Sequence, residues 1–230
     1  MRVIGIVGYK DSGKTTLIEN IIKNSNKKFG VIKHAKSKID LEGKDSFRYK
    51  EAGSKYIYLI SDNSTVLFSD KKSLEEAIAE LCKKDLDFIL IEGFKEEIKK
   101  LNIPKIVLLK DGEGDDLIDD HTVYVVENSN YKIDEILKII EEKAIVPTMN
   151  LNCTHCGYNC KGFVKALAKG EVKWDDCVLT KAKLKIIVDD KIIPLSPFVD
   201  KIVGDTIMAM INNLKGVKDP KKVEIYIKNK

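Results

Sequence analysis

Glutamine is absent from this 230-residue chain, and arginine occurs only at Arg2 and Arg48. Lysine carries nearly all the positive charge, and the formal net charge is only +4. A shortage of guanidinium forks argues against bidentate base reading or tracking of a phosphodiester backbone, so nucleic acid is not an expected partner. Abundant Lys, Glu and Ile without Gln fits either a heat-adapted protein or an AT-rich genome. Long apolar runs are missing too: no stretch reaches the ~20 residues of a membrane-spanning helix. The N-terminus reads as a core strand rather than a signal peptide. These absences set the expectation of a cytoplasmic chain without membrane contact. Cysteine is scarce, yet four of the five fall between 153 and 177. Disulfides are uncommon in the cytosol, so this clustering points to a metal site. The fifth, Cys82, shares a helical apolar stripe with Ala77, Ile78 and Leu81 and is expected in the core.

What is present is first of all a loop. Gly8-Tyr9-Lys10-Asp11-Ser12-Gly13-Lys14-Thr15-Thr16 follows the apolar strand Arg2 to Val7 and opens a helical stretch. This is G-x-x-x-x-G-K-[ST] between strand and helix, the context that a phosphate-cradling loop requires. Backbone N–H groups of residues 8–16 would wrap the terminal phosphates, aided by the helix N-terminus. Lys14 would reach the β and γ oxygens, and the Thr15 hydroxyl would ligate Mg²⁺.

Residues 1–147 alternate strand and helix patterns, as a nucleotide-binding α/β domain does. Leu17, Ile18, Ile21 and Ile22 mark a helix over 14–24, and 29–32 a second strand. A hairpin is expected over 56–69 with its turn at Asp62-Asn63, and Ser73 with Glu76 forms a capping box for a helix through Leu81. Phe88-Ile89-Leu90-Ile91 is apolar throughout, typical of a central strand covered on both faces. Further strands are expected over 106–109 and 123–126, and a helix over about 131–143. The acidic run 111–120 reads as a solvated loop. The expected architecture is therefore a mostly parallel sheet with helices on both faces. A four-cysteine module (148–180) and a small ββαβ tail (181–230) follow, with strands at 184–188 and 192–195, a helix over 197–214 and a last strand at 223–226.

Glu92 stands at the end of the covered strand, at the carboxyl edge where α/β proteins bind ligands. It is the expected catalytic carboxylate, steering Mg²⁺ directly or through water and orienting the attacking water, with capping of the next helix as the alternative. Between the loop and Glu92 lie Val31-Ile32-Lys33-His34, Asp40, Gly43-Lys44-Asp45-Ser46-Phe47-Arg48 and Ala52-Gly53. The ordered set of GYxxSGKTTL, VIKH, Asp, GKDSxR and IEGFK resembles the MobB family, molybdopterin-guanine dinucleotide biosynthesis protein B, over residues 1–145. The resemblance implies a GTP-binding, weakly hydrolysing homodimer that assists a MobA-type guanylyltransferase acting on molybdopterin. Carried over, the nucleotide loop is Gly8 to Thr16, the second motif runs from Lys33-His34 through Asp40 to Arg48, and Glu92-Gly93-Phe94-Lys95 is the Walker-B-like end. Ala35, Lys36, Ser37 and Lys38 stand where family members often carry further histidines, which leaves His34 alone. Asp40 reads as a group near Mg²⁺ or as a turn cap. The guanine-reading N-K-x-D pattern is absent, so the residues alone leave the base open and GTP rests on the resemblance.

Cys153, Cys156, Cys160 and Cys177 have the spacing C-x2-C-x3-C-x16-C, which suits a [4Fe–4S] cube or tetrahedral Zn²⁺. The flanking Gly157-Tyr158-Asn159, Phe163-Val164, Ala166, Ala168 and Gly170-Glu171 resemble the four-cysteine iron–sulfur domain of anaerobic electron-transfer and corrinoid proteins. The [4Fe–4S] cluster is therefore the leading expectation, with zinc as the alternative. His155, inside the first pair, is expected beside the ligands or in solvent. Such a module could serve a molybdenum or tungsten enzyme as a redox adaptor. A metallochaperone-type GTPase is the other reading.

Overall fold

The computed structural model describes residues 1–35, 39, 44–218, 220, 222–225 and 227. Its strands are β1 (Arg2–Gly8), β2 (Phe29–Lys33), β3 (Tyr56–Ile60), β4 (Thr65–Ser69), β5 (Phe88–Glu92), β6 (Lys105–Leu109), β7 (Thr122–Glu127), β8 (Ile186–Val188) and β9 (Lys191–Ile193). The helices are α1 (Lys14–Lys23), α2 (Asp45–Glu51), α3 (Leu74–Leu81), α4 (Lys95–Lys100), α5 (Ile133–Lys143), α6 (Cys160–Lys169) and α7 (Pro197–Asn212). Five parallel strands form the main sheet in the order β2-β5-β1-β6-β7. β1 and β5 sit inside it, which is why their sequences are apolar on both faces.

Alternate residues of these strands feed two cores. Ile4, Ile6, Phe88 and Leu90 pack with Leu17, Ile18 and Ile21 of α1 and with Ile136 and Ile140 of α5. On the other face Val3, Ile89 and Ile91 pack with Leu74 and Ile78 of α3 and with Ile98 of α4. Cys82 joins this second core at 7% exposure. Ser73 and Glu76 form the expected reciprocal cap on α3, an arrangement contributing about 1 kcal/mol.

The second core does not stop at the α/β domain. Phe163, Val164 and Leu167 of α6, together with Cys177, belong to the same buried cluster as Val3 and Ile89. After α5 the chain runs alongside the start of β1, where Ile145 exchanges backbone hydrogen bonds with Val3 in an antiparallel bridge. Trp174 lies over the Arg2 guanidinium at 3.9 Å, and the Phe88 ring lies 4.7 Å from the same group. Lys165 pairs with Asp120 just before β7. The cysteine segment is thus fastened at the amino end of the strands.

Beyond it, β8 and β9 form a hairpin, and Asp190 in its turn pairs with Lys83, just after α3, at 4.0 Å. Asp200 of α7 accepts from the backbone N–H groups of Lys183 and Leu184. The expected strand at 223–226 is not found: Val223, Glu224 and Ile225 are irregular, and Tyr226 lies outside the described residues. Among the described residues no sheet includes this segment, and an unpaired strand is marginal in water. The acidic run also departs from a purely solvated loop. Asp115–Leu117 forms a helical turn, Asp116 accepts from the Tyr9 hydroxyl, and Asp119 pairs with the buried Lys105 at 3.0 Å.

Candidate functional site

The ends of β1, β2 and β5 converge at the carboxyl edge of the sheet. Parallel register sets Lys33 opposite Glu92 and Ile6 opposite Glu92. The loop of residues 8–13 leaves β1 there and turns into α1. Both glycines at its ends are obligatory. A Cβ on Gly8 would meet Ser12 Oγ at 2.4 Å and the Leu108 carbonyl at 2.8 Å. Gly13 has φ +87°, a left-handed conformation, and a Cβ there would lie 2.8 Å from Ser129 Oγ. Asp11 also takes a positive φ. Within the turn Ser12 is buried, while Tyr9, Lys10 and Asp11 are exposed.

Helix α1 begins without any side-chain cap and without an acidic residue in its first turn. Its first N–H groups are therefore left for a ligand, and the dipole favours an anion. The Lys14 ammonium folds back over the loop to the Tyr9 carbonyl and Ser12 Oγ. Thr16 is exposed on the same first turn. Tyr9 is itself held by Asp116 at 2.8 Å, and that bond raises its phenol above the usual range. Lys95, at the start of α4, reaches the Tyr9 ring at 5.9 Å.

Thr15 Oγ1 lies 3.3 and 3.4 Å from the two carboxylate oxygens of Glu92. Glu92 is 7% exposed although it ends a strand. A hydroxyl and a buried carboxylate meeting at the rim of a phosphate loop are oxygen donors of the kind Mg²⁺ takes when it also holds nucleotide phosphates. A cationic group already sits there: Lys33 Nζ is 3.0 Å from Glu92 Oε1 and 3.1 Å from Thr15 Oγ1. The donor set accordingly fits a cation. His34 donates its backbone N–H to the Glu92 carbonyl and packs its ring on Phe94 at 4.8 Å. Asp40 and Gly43 lie outside the described residues. Arg48 pairs with Asp45 along α2 at 3.7 Å.

The four cysteines are brought together at the other end of the molecule. Cys153, Cys156, Cys160 and Cys177 line one cavity with Thr148, Leu151, Tyr158 and Phe163. Tight left-handed turns at Asn152, Thr154 and Gly157 wind the loop. Asn159 caps α6 by accepting from Gly162 at 2.7 Å, so the helix starts at Cys160. The Asn152 N–H points at Cys160 Sγ from 3.4 Å, the kind of bond that tunes a metal-bound sulfur. Burial pushes the Cys177 thiol up to about 11, with the three neighbouring cysteines acting in the same direction. It becomes a thiolate at neutral pH only if a metal displaces its proton. Among the described residues no three His, Cys, Asp or Glu side chains converge on a single ion-sized position. Soft sulfur donors around a shared cavity still suit iron–sulfur or zinc chemistry. The His155 Nδ1 lies 2.9 Å from the Cys153 carbonyl and its ring is exposed. With β1 six residue steps long, the cysteines stand on the order of 20 Å from the phosphate loop.

A parallel sheet with a glycine-bounded phosphate loop and an acidic strand end beside it defines a P-loop α/β protein. The comparisons narrow the class. Residues 3–128 match the model of the MobB family, "Molybdopterin guanine dinucleotide synthesis protein B", and residues 150–179 match a family described as "Putative Fe-S cluster". The chain belongs to the MobB family. A Methanocaldococcus jannaschii protein called "Putative molybdopterin-guanine dinucleotide biosynthesis adapter protein" is 60% identical over 229 residues, covering 99% of this chain and 97% of its own. That alignment therefore takes in the cysteine segment and the tail. A Haemophilus influenzae molybdopterin-guanine dinucleotide biosynthesis adapter protein is 36% identical over 145 residues, covering 59% of this chain and 79% of its own. The crystal structure of Bacillus subtilis MobB superposes with a TM-score of 0.50 at 25% identity, covering 60% of this chain and 98% of that one.

Two features at these sites escaped sequence reasoning. Contact of Lys33 with Thr15 needs the β2–β5 register, which no local pattern gives. The stacking of Arg2 under Trp174 joins residues 172 positions apart (174 − 2), each unremarkable alone.

Proposed function

We propose that this chain is a Mg²⁺- and GTP-binding adapter in molybdopterin guanine dinucleotide biosynthesis, holding guanine nucleotide for a MobA-type guanylyltransferase that modifies molybdopterin. The observation that carries the reading is the meeting of Thr15 and the buried Glu92 beside an uncapped helix N-terminus. In it, residues 8–16 wrap the phosphates with backbone N–H groups, and Lys14 moves from the Tyr9 carbonyl onto the β and γ oxygens. Thr15 and Glu92 hold the cation, Glu92 directly or through water. Mg²⁺, when bound, neutralises phosphate charge.

Hydrolysis is slow in this reading. Arg2 is committed to the Trp174 and Phe88 stack at the opposite end of β1, and Arg48 is tied to Asp45. Arg2 is thus turned away from the phosphates, where an arginine would accelerate transfer, which leaves Arg48 as the one other arginine of the chain. Homodimer formation is supported by the β3–β4 hairpin, which stands apart from the main sheet and exposes Tyr56, Tyr58 and Ile60. A cytoplasmic setting is consistent with free thiols at all five cysteines.

The four cysteines hold a [4Fe–4S] cluster in this proposal. A cavity ringed by four sulfurs, in a segment that matches a family described as "Putative Fe-S cluster", supports the cluster. Its place far from the phosphates suits docking or electron exchange with a molybdenum or tungsten enzyme rather than any contact with nucleotide. Two experiments test the proposal. Transferase activity stimulated by this protein with GTP, and not by Lys14→Ala, supports the adapter role; equal stimulation by both refutes it. Anaerobic purification should give a coloured protein with iron and sulfide in equal amounts, whereas a colourless protein with stoichiometric zinc refutes the cluster.

A further inference from the structure

Glu92 is a carboxylate almost removed from water, and such a group needs a cation. The cation it has is Lys33, whose side chain remains 53% exposed against 9% for Glu92. The two ends of this pair are therefore unequal. The acid is fixed at the end of a central strand, whereas the ammonium can return to water at little cost. The ammonium also lies 3.1 Å from Thr15 Oγ1, so it touches both side-chain oxygens proposed to hold the divalent cation. Mg²⁺ would need those oxygens at about 2.1 Å. An ammonium group and a magnesium ion cannot share that space.

We infer that Lys33 is a built-in stand-in for the divalent cation, neutralising Glu92 in the empty site and leaving when metal and nucleotide enter. The inference rests on the reading of Thr15 and Glu92 as the cation site and adds a positioning residue to it. The empty loop keeps its buried carboxylate paired and in place. Metal alone must compete with a tethered ammonium and binds weakly. Metal carried by a nucleotide brings the phosphate contacts of the loop to offset that competition. The released lysine is then a free cation beside the anionic phosphates. Binding of the two ligands is thereby coupled through one side chain.

The test uses the full-length, nucleotide-free protein and Mn²⁺ as the probe, with free Mn²⁺ counted by its electron paramagnetic resonance signal. Lys33→Met should bind Mn²⁺ about tenfold more tightly than wild type, a gain of ~1.4 kcal/mol. Lys33→Arg keeps a cation on Glu92 and should stay within about twofold of wild type. In the wild-type protein, acetic anhydride should acetylate Lys33 faster when Mn²⁺ is present, read by mass spectrometry, which needs no variant to fold. Unchanged or weaker Mn²⁺ binding by Lys33→Met, or an acetylation rate indifferent to Mn²⁺, overturns the stand-in role. A wild-type protein that binds no Mg²⁺·GTP at all overturns instead the nucleotide-site reading beneath it.

Discussion

Replacing Phe163 by alanine should weaken the nucleotide domain as much as the cysteine module. Phe163 sits on α6, 2% exposed, in one buried cluster with Val3 and Ile89 of the central strands and Ile78 of α3. Truncating a buried phenylalanine costs about 3–5 kcal/mol, through lost burial and the cavity left behind. The ten-residue α6 has no stability of its own to absorb that loss. For a chain of this length, each kcal/mol lowers the melting temperature by ~2–4 °C, so a fall of roughly 6–20 °C is expected. The assay follows from the sequence: Trp174 is the only tryptophan and lies in the module, stacked on Arg2 of β1. Its fluorescence reports the module, while far-ultraviolet circular dichroism reports mainly the sheet and its helices. Wild type and Phe163→Ala, at equal metal content, should each melt with the two signals coincident, the variant lower by the stated amount. A variant whose fluorescence transition drops while its dichroism transition stays put would refute the shared core.

Glu92→Gln should weaken Mg²⁺·GTP binding about tenfold or more and leave Mg²⁺-free GTP binding nearly unchanged, as calorimetry with and without chelator can check. Gly13→Ala should abolish nucleotide binding at a folding cost of about 1–2 kcal/mol, because φ +87° strains any side chain there. Its binding and its urea midpoint can be measured on one preparation. Burial lifts the Cys82 thiol from 9.0 to about 11, so between those pH values the unfolded chain loses its proton first and stability falls as pH rises. The loss approaches about 3 kcal/mol at the upper end. Urea titrations from pH 8 to 11 should show a shallower decline for Cys82→Ala than for wild type, and equal slopes would contradict the burial argument.

The phosphate loop and the five parallel strands were legible because they rest on local rules. Gly8 and Gly13 have conformations and close approaches that only glycine meets, and β5 is apolar at four consecutive positions because helices cover both its faces. The hairpin at 56–69 and the capped α3 were likewise written in turn residues and in Ser73 with Glu76. Helix α2 was hidden, since its seven residues bury only Ser46 and carry no apolar stripe. The strand expected at 223–226 shows the opposite failure: alternation at Val223 and Ile225 does not by itself make a strand, and among the described residues no sheet includes them. The polar cluster of Lys105, Asp119, His121 and Asn102 was also out of view. Its members look like surface residues along the chain, and only the crossing of α4 and the segment before β7 buries them. Burial holds the His121 imidazole below its usual range, against the pull of Asp119.

The most direct measurement is a calorimetric titration of GTP with Mg²⁺ into the full-length protein, beside Lys14→Ala. One saturable site per chain in wild type, lost in Lys14→Ala, is the expected outcome for a loop of amide hydrogens closed by one ammonium. Absence of saturable heat in wild type, or equal affinity in the two proteins, would contradict it.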